Sequence, residues 1–517
     1  MMKIWSFPGG VHPPQHKEES NSRPIAPAGI PTQIILPVHQ HIGQSAVPIV
    51  EVGDTVLKGQ MIAKAEGFVS APLHASTSGK VIAIEPRPVP HPSGMRAMCV
   101  VIEPDNKETW ARLNKIDDYR SLDPSALRNI IRQAGIVGLG GAGFPTFIKL
   151  NPGPEKCVET LIINGVECEP YITCDDLLMR TRAEEVIAGT EIIQFALQAK
   201  KAIIAVEDNK PEAIHHLEEV LSGRTDISVA AIPTRYPAGS EKQLVKALTG
   251  KEVPKDGLAI HVGVVGQNVA TARAVYRAVI HGEPLISRIV TVTGDAVGKP
   301  QNFEALIGTP FTHLLQLAQT DTDAMQRLTM GGPMMGFAVT TAEVPLIKTT
   351  NCILAQTAET LPKPEPAMPC IRCGACAEAC PVSLLPQQLY WYSRANQFDK
   401  AQEYNLFDCI ECGCCSYVCP SHIPLVQYYR YAKGQIWIKE QEKKKSDIAR
   451  KRHEARLARL EREKAEREAK RNRKKAAMQQ KKAADAARSA REKAMKLREK
   501  ALENVSSVTD TTNPKEQ

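Results

Sequence analysis

Residues 370–381 read CIRCGACAEACP, and residues 409–420 read CIECGCCSYVCP. Both stretches follow the pattern Cys-x2-Cys-x2-Cys-x3-Cys-Pro, and the second begins 39 residues after the first. Two-residue gaps let a looping backbone bring three thiolates to one side of a compact inorganic cluster, and proline then stops the run. The spacing predicts two [4Fe–4S] clusters. The predicted ligands are Cys370, Cys373, Cys376, Cys380, Cys409, Cys412, Cys415 and Cys419.

The ligands are expected to be exchanged between the two repeats, because the fourth cysteine of such a run ligates the other cluster in two-cluster ferredoxins. Cys419 is therefore assigned to the first-quartet cluster, and Cys380 to the second-quartet cluster. A pair of zinc sites is the alternative, but zinc ribbons combine two short Cys-x2-Cys units and need no third evenly spaced cysteine. The chain has 14 cysteines and begins without a signal-peptide pattern, which favours metal binding in a reducing compartment over disulfides.

The 28 residues between the quartets predict helices rather than a minimal ferredoxin spacer. Leu384–Asn396 and Phe398–Tyr404 have helical character, so we expect a helical dicluster domain. Its aromatic residues, among them Tyr390 and Trp391, are expected to shield the clusters from water. Leu361–Pro369 contains four prolines and is typical of a linker in front of this domain.

Upstream of the linker, strand and helix patterns alternate. Thr160–Ile163 and Ala202–Val206 are apolar runs, and Ala183–Gln198 between them has a helical pattern. This alternation predicts βαβ units over a parallel sheet between about residues 130 and 285. Ile289–Val292 and the segment around Leu306–Leu317 predict a small α+β unit.

The first 130 residues begin with a Pro/Gly-rich arm, residues 7–14, and continue with short strand patterns separated by turn residues. The predicted strands are Gln33–Pro37, Pro48–Val52, Met61–Lys64 and Lys80–Glu85.

A glycine-rich segment follows a predicted helix at residues 138–143, which read GLGGAG and precede Lys149. Glycines let backbone N–H groups approach a phosphate closely, and the lysine adds positive charge. The spacing differs from both the Rossmann fingerprint and the Walker loop. The segment therefore predicts a phosphate-binding nest of another kind.

Together with NGVECEP at 164–170, YPAGSE at 236–241 and QNVAT at 267–271, this segment resembles the FMN- and NADH-binding subunit of respiratory complex I. The resemblance implies that FMN is held by Gly138, Gly140, Gly141, Gly143, Lys149, Asn164 and Asn268. It implies catalytic positions around the flavin and nicotinamide for Glu167, Glu169 and Glu241, although ordinary surface or helix-capping carboxylates are the alternative. Leu139, Val166 and Ser240 depart from the family pattern.

Two flanking segments resemble known modules. Residues 52–60, VGDTVLKGQ, with residues 71–81 look like a barrel-sandwich hybrid domain of the biotinyl/lipoyl type. No lysine lies between Lys64 and Lys80, where a carrier hairpin presents one, so neither lipoylation nor biotinylation is expected. Residues 288–317 resemble the β-grasp (SLBB) domain that follows the flavin domain in complex I.

The order of modules resembles the RnfC family of the Rnf-type (Rsx-type) ion-translocating electron transport complexes. The expected fold is multidomain α/β plus α+β. Its expected parts are an arm with barrel-sandwich hybrid domain (1–128), an FMN/NADH-binding-like α/β domain (129–285), a β-grasp domain (286–360), a dicluster 4Fe–4S ferredoxin domain (361–438) and a basic helical or disordered tail (439–517).

The resemblance implies a peripheral electron-transfer subunit at the cytoplasmic side of the cell inner membrane, with NADH dehydrogenase activity through FMN in a translocase-type oxidoreductase. Its partners would be the membrane-embedded subunits, including a ferredoxin-like one. A flavin is the expected converter, because nicotinamide carries two electrons and a cubane cluster one. The alternatives are a soluble cobalamin reductase and a non-catalytic relay or assembly subunit with an empty flavin fold.

The charge is concentrated in the tail. Residues 439–500 contain 25 Lys/Arg and 11 Asp/Glu, a net +14, so the remainder carries −6 of the chain's +8. No Phe, Tyr or Trp follows Trp437, so base stacking is absent and nucleic-acid binding is not expected. The tail is expected to be a solvated, partly helical segment, with contact to anionic lipid or to a partner as the alternative. No apolar run is long enough to cross a bilayer.

Overall fold

The computed structural model describes residues 3–153, 156–255, 257–361 and 365–506. It divides into two compact units, the first ending at Lys433 and the second beginning at Gly434. The predicted linker falls partly on residues 362–364, which lie outside the described residues.

Eight strands form the N-terminal part of the first unit. They are β1 (Ala26–Pro27), β2 (Ile34–Pro37), β3 (Val47–Pro48), β4 (Thr55–Val56), β5 (Met61–Lys64), β6 (Leu73–His74), β7 (Gly79–Pro88) and β8 (Arg96–Pro104). Seven of them make two antiparallel sheets, with orders β2-β8-β7-β4 and β3-β5-β6. The prediction for Pro48–Val52 is wrong in extent, since the strand there is only Val47–Pro48.

The next part is a parallel α/β layer. Its elements are α1 (Pro124–Gln133), α2 (Thr146–Lys149), β9 (Thr160–Gly165), α3 (Cys174–Thr181), α4 (Ala183–Leu197), β10 (Lys201–Glu207), α5 (Pro211–Val220), β11 (Ile227–Ile232), α6 (Glu241–Thr249), β12 (Val264–Asn268) and α7 (Val269–Ile280). The strands pair in the order β11-β10-β9-β12, all parallel.

This layer confirms the predicted βαβ alternation. The β10 run from Ala202 to Val206 is buried throughout, as expected for a strand covered on both faces. Gly189 lets α4 approach α7 closely, because a Cβ there would lie 1.9 Å from the carbonyl oxygen of Ala272. The close contact of α4 with α7 helps to fix where α7 begins, next to the end of β12.

A mixed six-stranded sheet follows. Its later elements are β13 (Ser287–Thr293), β14 (Gln301–Leu306), α8 (Phe311–Leu317), β15 (Arg327–Met330), β16 (Phe337–Ala338) and β17 (Cys352–Gln356). The strand order is β1-β14-β13-β17-β15-β16. The predicted α+β unit is present, but its edge strand comes from Ala26–Pro27 near the N-terminus, paired in parallel with Phe303–Glu304.

The cysteine module is helical, as predicted. Its helices are α9 (Ala375–Glu378), α10 (Pro386–Arg394), α11 (Phe398–Glu403), α12 (Cys414–Tyr417) and α13 (Leu425–Ser506). The two repeats share backbone conformation as well as sequence. Gly374 and Gly413 have φ values of +86° and +83°, and Arg372 and Glu411 have φ values of +58° and +57°. Each pair is separated by the 39-residue repeat, so the duplication extends to the folded backbone.

The second unit consists of the continuation of α13 through Ser506. From Trp437 to Leu502 every side chain is exposed except that of Asp447, which is half-buried. The described part of the tail is therefore helical throughout rather than partly helical. Among the described residues, no helix is both long enough and apolar enough to span a bilayer.

Candidate functional site

A cleft lies at the carboxyl ends of the parallel strands, where ligands bind in open α/β sheets. Asn164 near the end of β9 stands opposite Asn268 at the end of β12 in the sheet register. The cleft comprises a cavity of about 430 Å³ and an adjoining one of about 200 Å³. Both cavities are lined by the two asparagines and by Gly140 and Gly239.

The glycine-rich loop forms one wall of this cleft. The loop is closed by a hydrogen bond of 2.8 Å from the Gly138 N–H to the Phe144 carbonyl oxygen. Within the part of the chain that the structure describes, the N–H groups of residues 140–143 have no acceptor. Gly141 has a φ of +110° and faces open space. Free amides on a left-handed turn are suited to an anionic group such as a phosphate.

Lys149 and Glu241 face each other at the rim of the smaller cavity. The Lys149 Nζ donates to Glu241 Oε1 at 2.8 Å and to the Gly266 carbonyl oxygen at 3.3 Å. Both side chains are partly exposed, at 35% and 44%. Lys149 lines the same cavity as Gly140 and Ala142 of the loop and adds positive charge there.

The two asparagines use their side chains to build the walls. Asn268 Oδ1 accepts from the N–H groups of Ala270 and Thr271 and so caps α7, while its Nδ2 donates to Asp175 Oδ2 at 2.6 Å. Asn164 Nδ2 donates to the Gly239 carbonyl oxygen at 2.8 Å. Their predicted role in holding the cofactor would therefore be partly indirect, through the shape of the cleft.

The carboxylates of Glu167 and Glu169 line the larger cavity and accept from backbone amides. Glu167 accepts from the N–H groups of Asp175 and Asp176, at 2.7 and 3.2 Å, in the first turn of α3. Burial raises its pKa to about 8. Glu169 accepts from the N–H groups of residues 334 and 335, at 2.7 and 3.0 Å, and burial raises its pKa too. Glu167 therefore matches the helix-capping alternative, whereas Glu169 holds the loop between β15 and β16. The catalytic role of both stays a prediction.

Lys17 is a site residue that the sequence pattern did not reveal. Its buried Nζ donates to the carbonyl oxygens of Glu167, Glu169 and Ile172, at 2.8, 3.0 and 2.7 Å. Burial lowers the pKa of this ammonium group. An ammonium has three donors, so one side chain satisfies three carbonyls of the cavity-lining segment. The contact spans some 150 positions of sequence, and no local signal could have indicated it.

Three cysteines of the first quartet line a separate cavity of about 560 Å³. Cys419, although it belongs to the second repeat, lies there with the three cysteines of the first repeat, as the exchanged assignment requires. Tyr390 and Trp391 line the same cavity. The lining cysteines are Cys370, Cys373, Cys376 and Cys419.

The second quartet is more buried. Burial raises the pKa of Cys415, and the neighbouring thiols of Cys409, Cys412, Cys380 and Cys376 raise it further. Ala379, the residue before Cys380, packs against Cys412 and Cys414, which places this end of the first repeat beside the second. Binding of a cluster would displace the thiol protons of these cysteines, because the thiolate is the metal ligand.

The spacing of the quartets argues against single zinc ions. Tetrahedral zinc with Zn–S bonds of about 2.3 Å brings its sulfur atoms within about 3.8 Å of one another. In the described ranges, only one group of three or more possible ligands is close enough for a single ion. It consists of Glu167, Cys174 and Asp175, whose ligand atoms lie within 4.8 Å of one another. Neither cysteine quartet is that compact.

The second quartet adjoins the cleft. Ile410 and Tyr236 line the 430 Å³ cavity, and the Tyr236 hydroxyl donates to the Cys412 carbonyl oxygen at 2.7 Å. Burial raises the pKa of Tyr236, so this hydroxyl keeps its proton. A Cβ on Gly413 would lie 3.1 Å from the carbonyl oxygen of Met334, next to the Glu169 contact. The second quartet is therefore the one beside the cleft.

Three protein-family profiles match the chain. The RnfC barrel sandwich hybrid domain matches residues 5–107, the Nuo51 FMN-binding domain matches residues 131–277 and a 4Fe-4S dicluster domain matches residues 369–423. These matches confirm the predicted barrel-sandwich, flavin-type and dicluster folds, and they confirm FMN and [4Fe–4S] clusters as the cofactors. The free amides of the glycine-rich loop fit the phosphate of FMN, and the cysteine quartets, whose sulfur atoms are too far apart for a single ion, fit the clusters. The β-grasp assignment stays a prediction.

Curated relatives extend over most of the chain. The C subunit of an ion-translocating oxidoreductase complex from Vibrio cholerae is 51% identical over 78% of this chain and 52% of its own length. The equivalent protein from Serratia proteamaculans is 50% identical over 89% of this chain and 65% of its own length. The one from Yersinia pestis is 49% identical over 89% of this chain and 74% of its own length. The chain spans about half the length of the Vibrio relative. It belongs to the RnfC family, the C subunits of ion-translocating oxidoreductase complexes.

Proposed function

We propose that the chain is a peripheral electron-transfer subunit of a membrane-bound complex that couples electron flow to ion translocation. Electrons would enter from NADH in the flavin cleft and leave through the two clusters. The observation that carries the proposal is the contact between the cleft and the second quartet, made by Tyr236 and Ile410 in the wall of one cavity. A cleft for a two-electron carrier beside one-electron centres is the arrangement that such a relay needs.

The glycine loop and Lys149 would bind the FMN phosphate, with the free amides of residues 140–143 as donors and Lys149 as the cation. When bound, FMN accepts a pair of electrons from nicotinamide and passes them on singly. Lys17 and the backbone amides that hold Glu167 and Glu169 would keep the cavity wall in place. Glu241, the most exposed of the three predicted carboxylates, is free to meet the nicotinamide if it leaves Lys149.

The cysteines would hold the clusters in the exchanged arrangement, with Cys419 on the first-quartet cluster and Cys380 on the second. Because the second quartet adjoins the cleft, its cluster would receive electrons first, and the first-quartet cluster would pass them to a partner. Cys373 is exposed, which supports an outward-facing first-quartet site.

The partners would be the other subunits of the complex, including a ferredoxin-like one, at the cytoplasmic side of the cell inner membrane. The net charge of +14 on residues 439–500 supports an additional contact of the tail with anionic lipid. Ion translocation would belong to the membrane-embedded partners.

Cofactor content and NADH reduction of the anaerobically purified full chain test this function. We expect bound FMN, about eight iron atoms and reduction of both clusters by NADH. Clusters without flavin, or flavin that NADH does not reduce, would contradict NADH oxidation and favour a relay subunit with an empty flavin fold. Reduction of added cob(II)alamin at the same rate as the clusters would favour a cobalamin reductase.

A further inference from the structure

The Pro/Gly-rich arm at the N-terminus contacts both halves of the proposed relay. The Gly10 N–H donates to the Ala379 carbonyl oxygen at 2.9 Å, one residue before Cys380. Val11 and Tyr236 exchange two backbone hydrogen bonds, of 2.9 and 3.0 Å. Tyr236 in turn lines the cleft and donates to Cys412. Two consecutive arm residues thus bond to the cysteine module and to the cleft.

The arm continues along the other wall of the cleft. The Tyr171 N–H donates to the Gln15 carbonyl oxygen at 2.8 Å, and Ser20 shares a hydrogen bond of 2.7 Å with Thr173. Between them, Lys17 donates to its three carbonyl oxygens. The segment that lines the cavity is therefore anchored to the same arm that meets the second quartet.

At Gly9 the arm passes very close to the backbone of Cys380. The φ of Gly9 is +61°, and a Cβ there would lie 2.4 Å from the carbonyl carbon and 2.5 Å from the carbonyl oxygen of Cys380. These are backbone atoms and cannot swing aside. A side chain at this position must move the arm or displace the Cys380 backbone.

We infer that the arm (residues 7–14) and the segment that continues it to residue 20 form a positioning element that fixes the second-quartet cluster against the flavin cleft, and that Gly9 is the residue that sets this spacing. The inference rests on the proposed function for its kinetic consequence. Electron transfer between buried centres falls steeply with their separation, so a displacement of Cys380 slows the step from cleft to cluster while both cofactors stay bound.

The test compares Gly9→Ala with Gly29→Ala in the full chain, loaded with both cofactors. Gly29 is a matched control because it also has a positive φ, +68°, but a Cβ there meets nothing within 4 Å. For Gly9→Ala we expect the parent flavin and iron contents and the parent rate of flavin bleaching by NADH. We expect cluster reduction, followed by rapid-freeze EPR, to be slower by about tenfold. Gly29→Ala should match the parent throughout.

Parent-like cluster reduction in Gly9→Ala would overturn the inference, and so would equal slowing in Gly29→Ala. If Gly9→Ala loses iron, Val11→Pro gives the answer, because it removes the N–H that donates to the Tyr236 carbonyl oxygen and leaves Gly9 unchanged. Val11→Pro with full cofactors should also slow cluster reduction, and an unchanged rate would refute a positioning role.

An EPR measurement after dithionite reduction separates this inference from the proposed function, since it needs neither flavin nor NADH. In Gly9→Ala the signal of the second-quartet cluster should shift while that of the first-quartet cluster stays. Two unchanged signals would mean that Gly9 does not position Cys380. Failure of NADH to reduce the parent would count against the proposed function alone.

Discussion

Replacing Cys419 by serine should remove the first-quartet cluster, although the residue belongs to the second repeat. Cys419 lines the same 560 Å³ cavity as Cys370, Cys373 and Cys376. A serine hydroxyl remains protonated at neutral pH and is a poor iron ligand, so this cluster would keep three thiolates. Two [4Fe–4S] clusters contain about eight iron atoms, and loss of one leaves about four. The mirror variant Cys380→Ser should lose the other cluster.

Iron and sulfide analysis under anaerobic conditions gives the stoichiometry, and EPR after dithionite reduction identifies the surviving cluster. Cys373→Ser and Cys409→Ser, which alter the undisputed members of each quartet, supply the reference spectra. Cys99→Ala, in the barrel-sandwich region and fully buried, is the control and should keep all the iron. If Cys419→Ser changes the second-quartet signal and spares the first, each repeat ligates its own cluster and the exchanged arrangement is wrong.

Three further outcomes are expected. His74 is buried, and burial lowers its pKa from 6.5 to about 3. As the pH falls, the unfolded chain therefore protonates this histidine before the folded chain does, so the folded state loses stability below about pH 6.5. In urea unfolding, His74→Gln should reduce the loss of unfolding free energy between about pH 7.5 and pH 5 by about 2 kcal/mol. An unchanged pH dependence in this variant would disprove the prediction. Lys149→Ala should weaken FMN binding by about 10- to 100-fold. It should change the unfolding free energy by less than about 1 kcal/mol, because the ion pair of Lys149 with Glu241 is partly exposed. A flavin affinity like that of the parent would speak against the loop as the phosphate site. Deletion of residues 439–517 should keep iron and flavin and abolish salt-sensitive sedimentation with anionic vesicles, whereas loss of iron would show that the tail is part of the cluster fold.

The cysteine module could be predicted from sequence because its ligands lie at fixed local spacing. Four thiolates at set intervals before a proline leave few alternatives, and the positive φ of Gly374 and Gly413 recurs with the repeat. The helices after Leu384 were also predictable, with boundaries off by two residues or fewer, since Pro386 opens α10 at its first position. Continuous apolar runs identified the buried parallel strands in the same way.

The walls of the cleft could not be predicted in detail, because they depend on contacts between distant segments. The sequence does not distinguish Glu167 from an exposed glutamate. In the fold, its backbone has a φ of +50° and its carboxylate accepts from the first turn of α3. Lys17 lies in a polar stretch of sequence, and yet it is buried. Nothing in the spacing of either residue indicates a partner.

Very short strands were also missed. Ala26–Pro27 is too brief to show a period of two, and its partner strand lies at Phe303–Glu304. The pairing ties the N-terminal segment to the six-stranded sheet, so the modules that follow one another in sequence are not separate in the fold. The resemblance to a known family supplied the order of modules, but not this exchange of an edge strand.

NADH reduction of the two single-cluster variants tests the proposed electron-transfer path most directly. In Cys419→Ser, which should keep only the cluster beside the cleft, NADH should reduce that cluster at the parent rate. Cys380→Ser should keep only the first-quartet cluster, which lies farther from the cleft and is here called the outer cluster. Dithionite should still reduce this cluster, but NADH should reduce it far more slowly. Equally fast NADH reduction of the outer cluster in Cys380→Ser would contradict a path that runs from the cleft through the second quartet to the first.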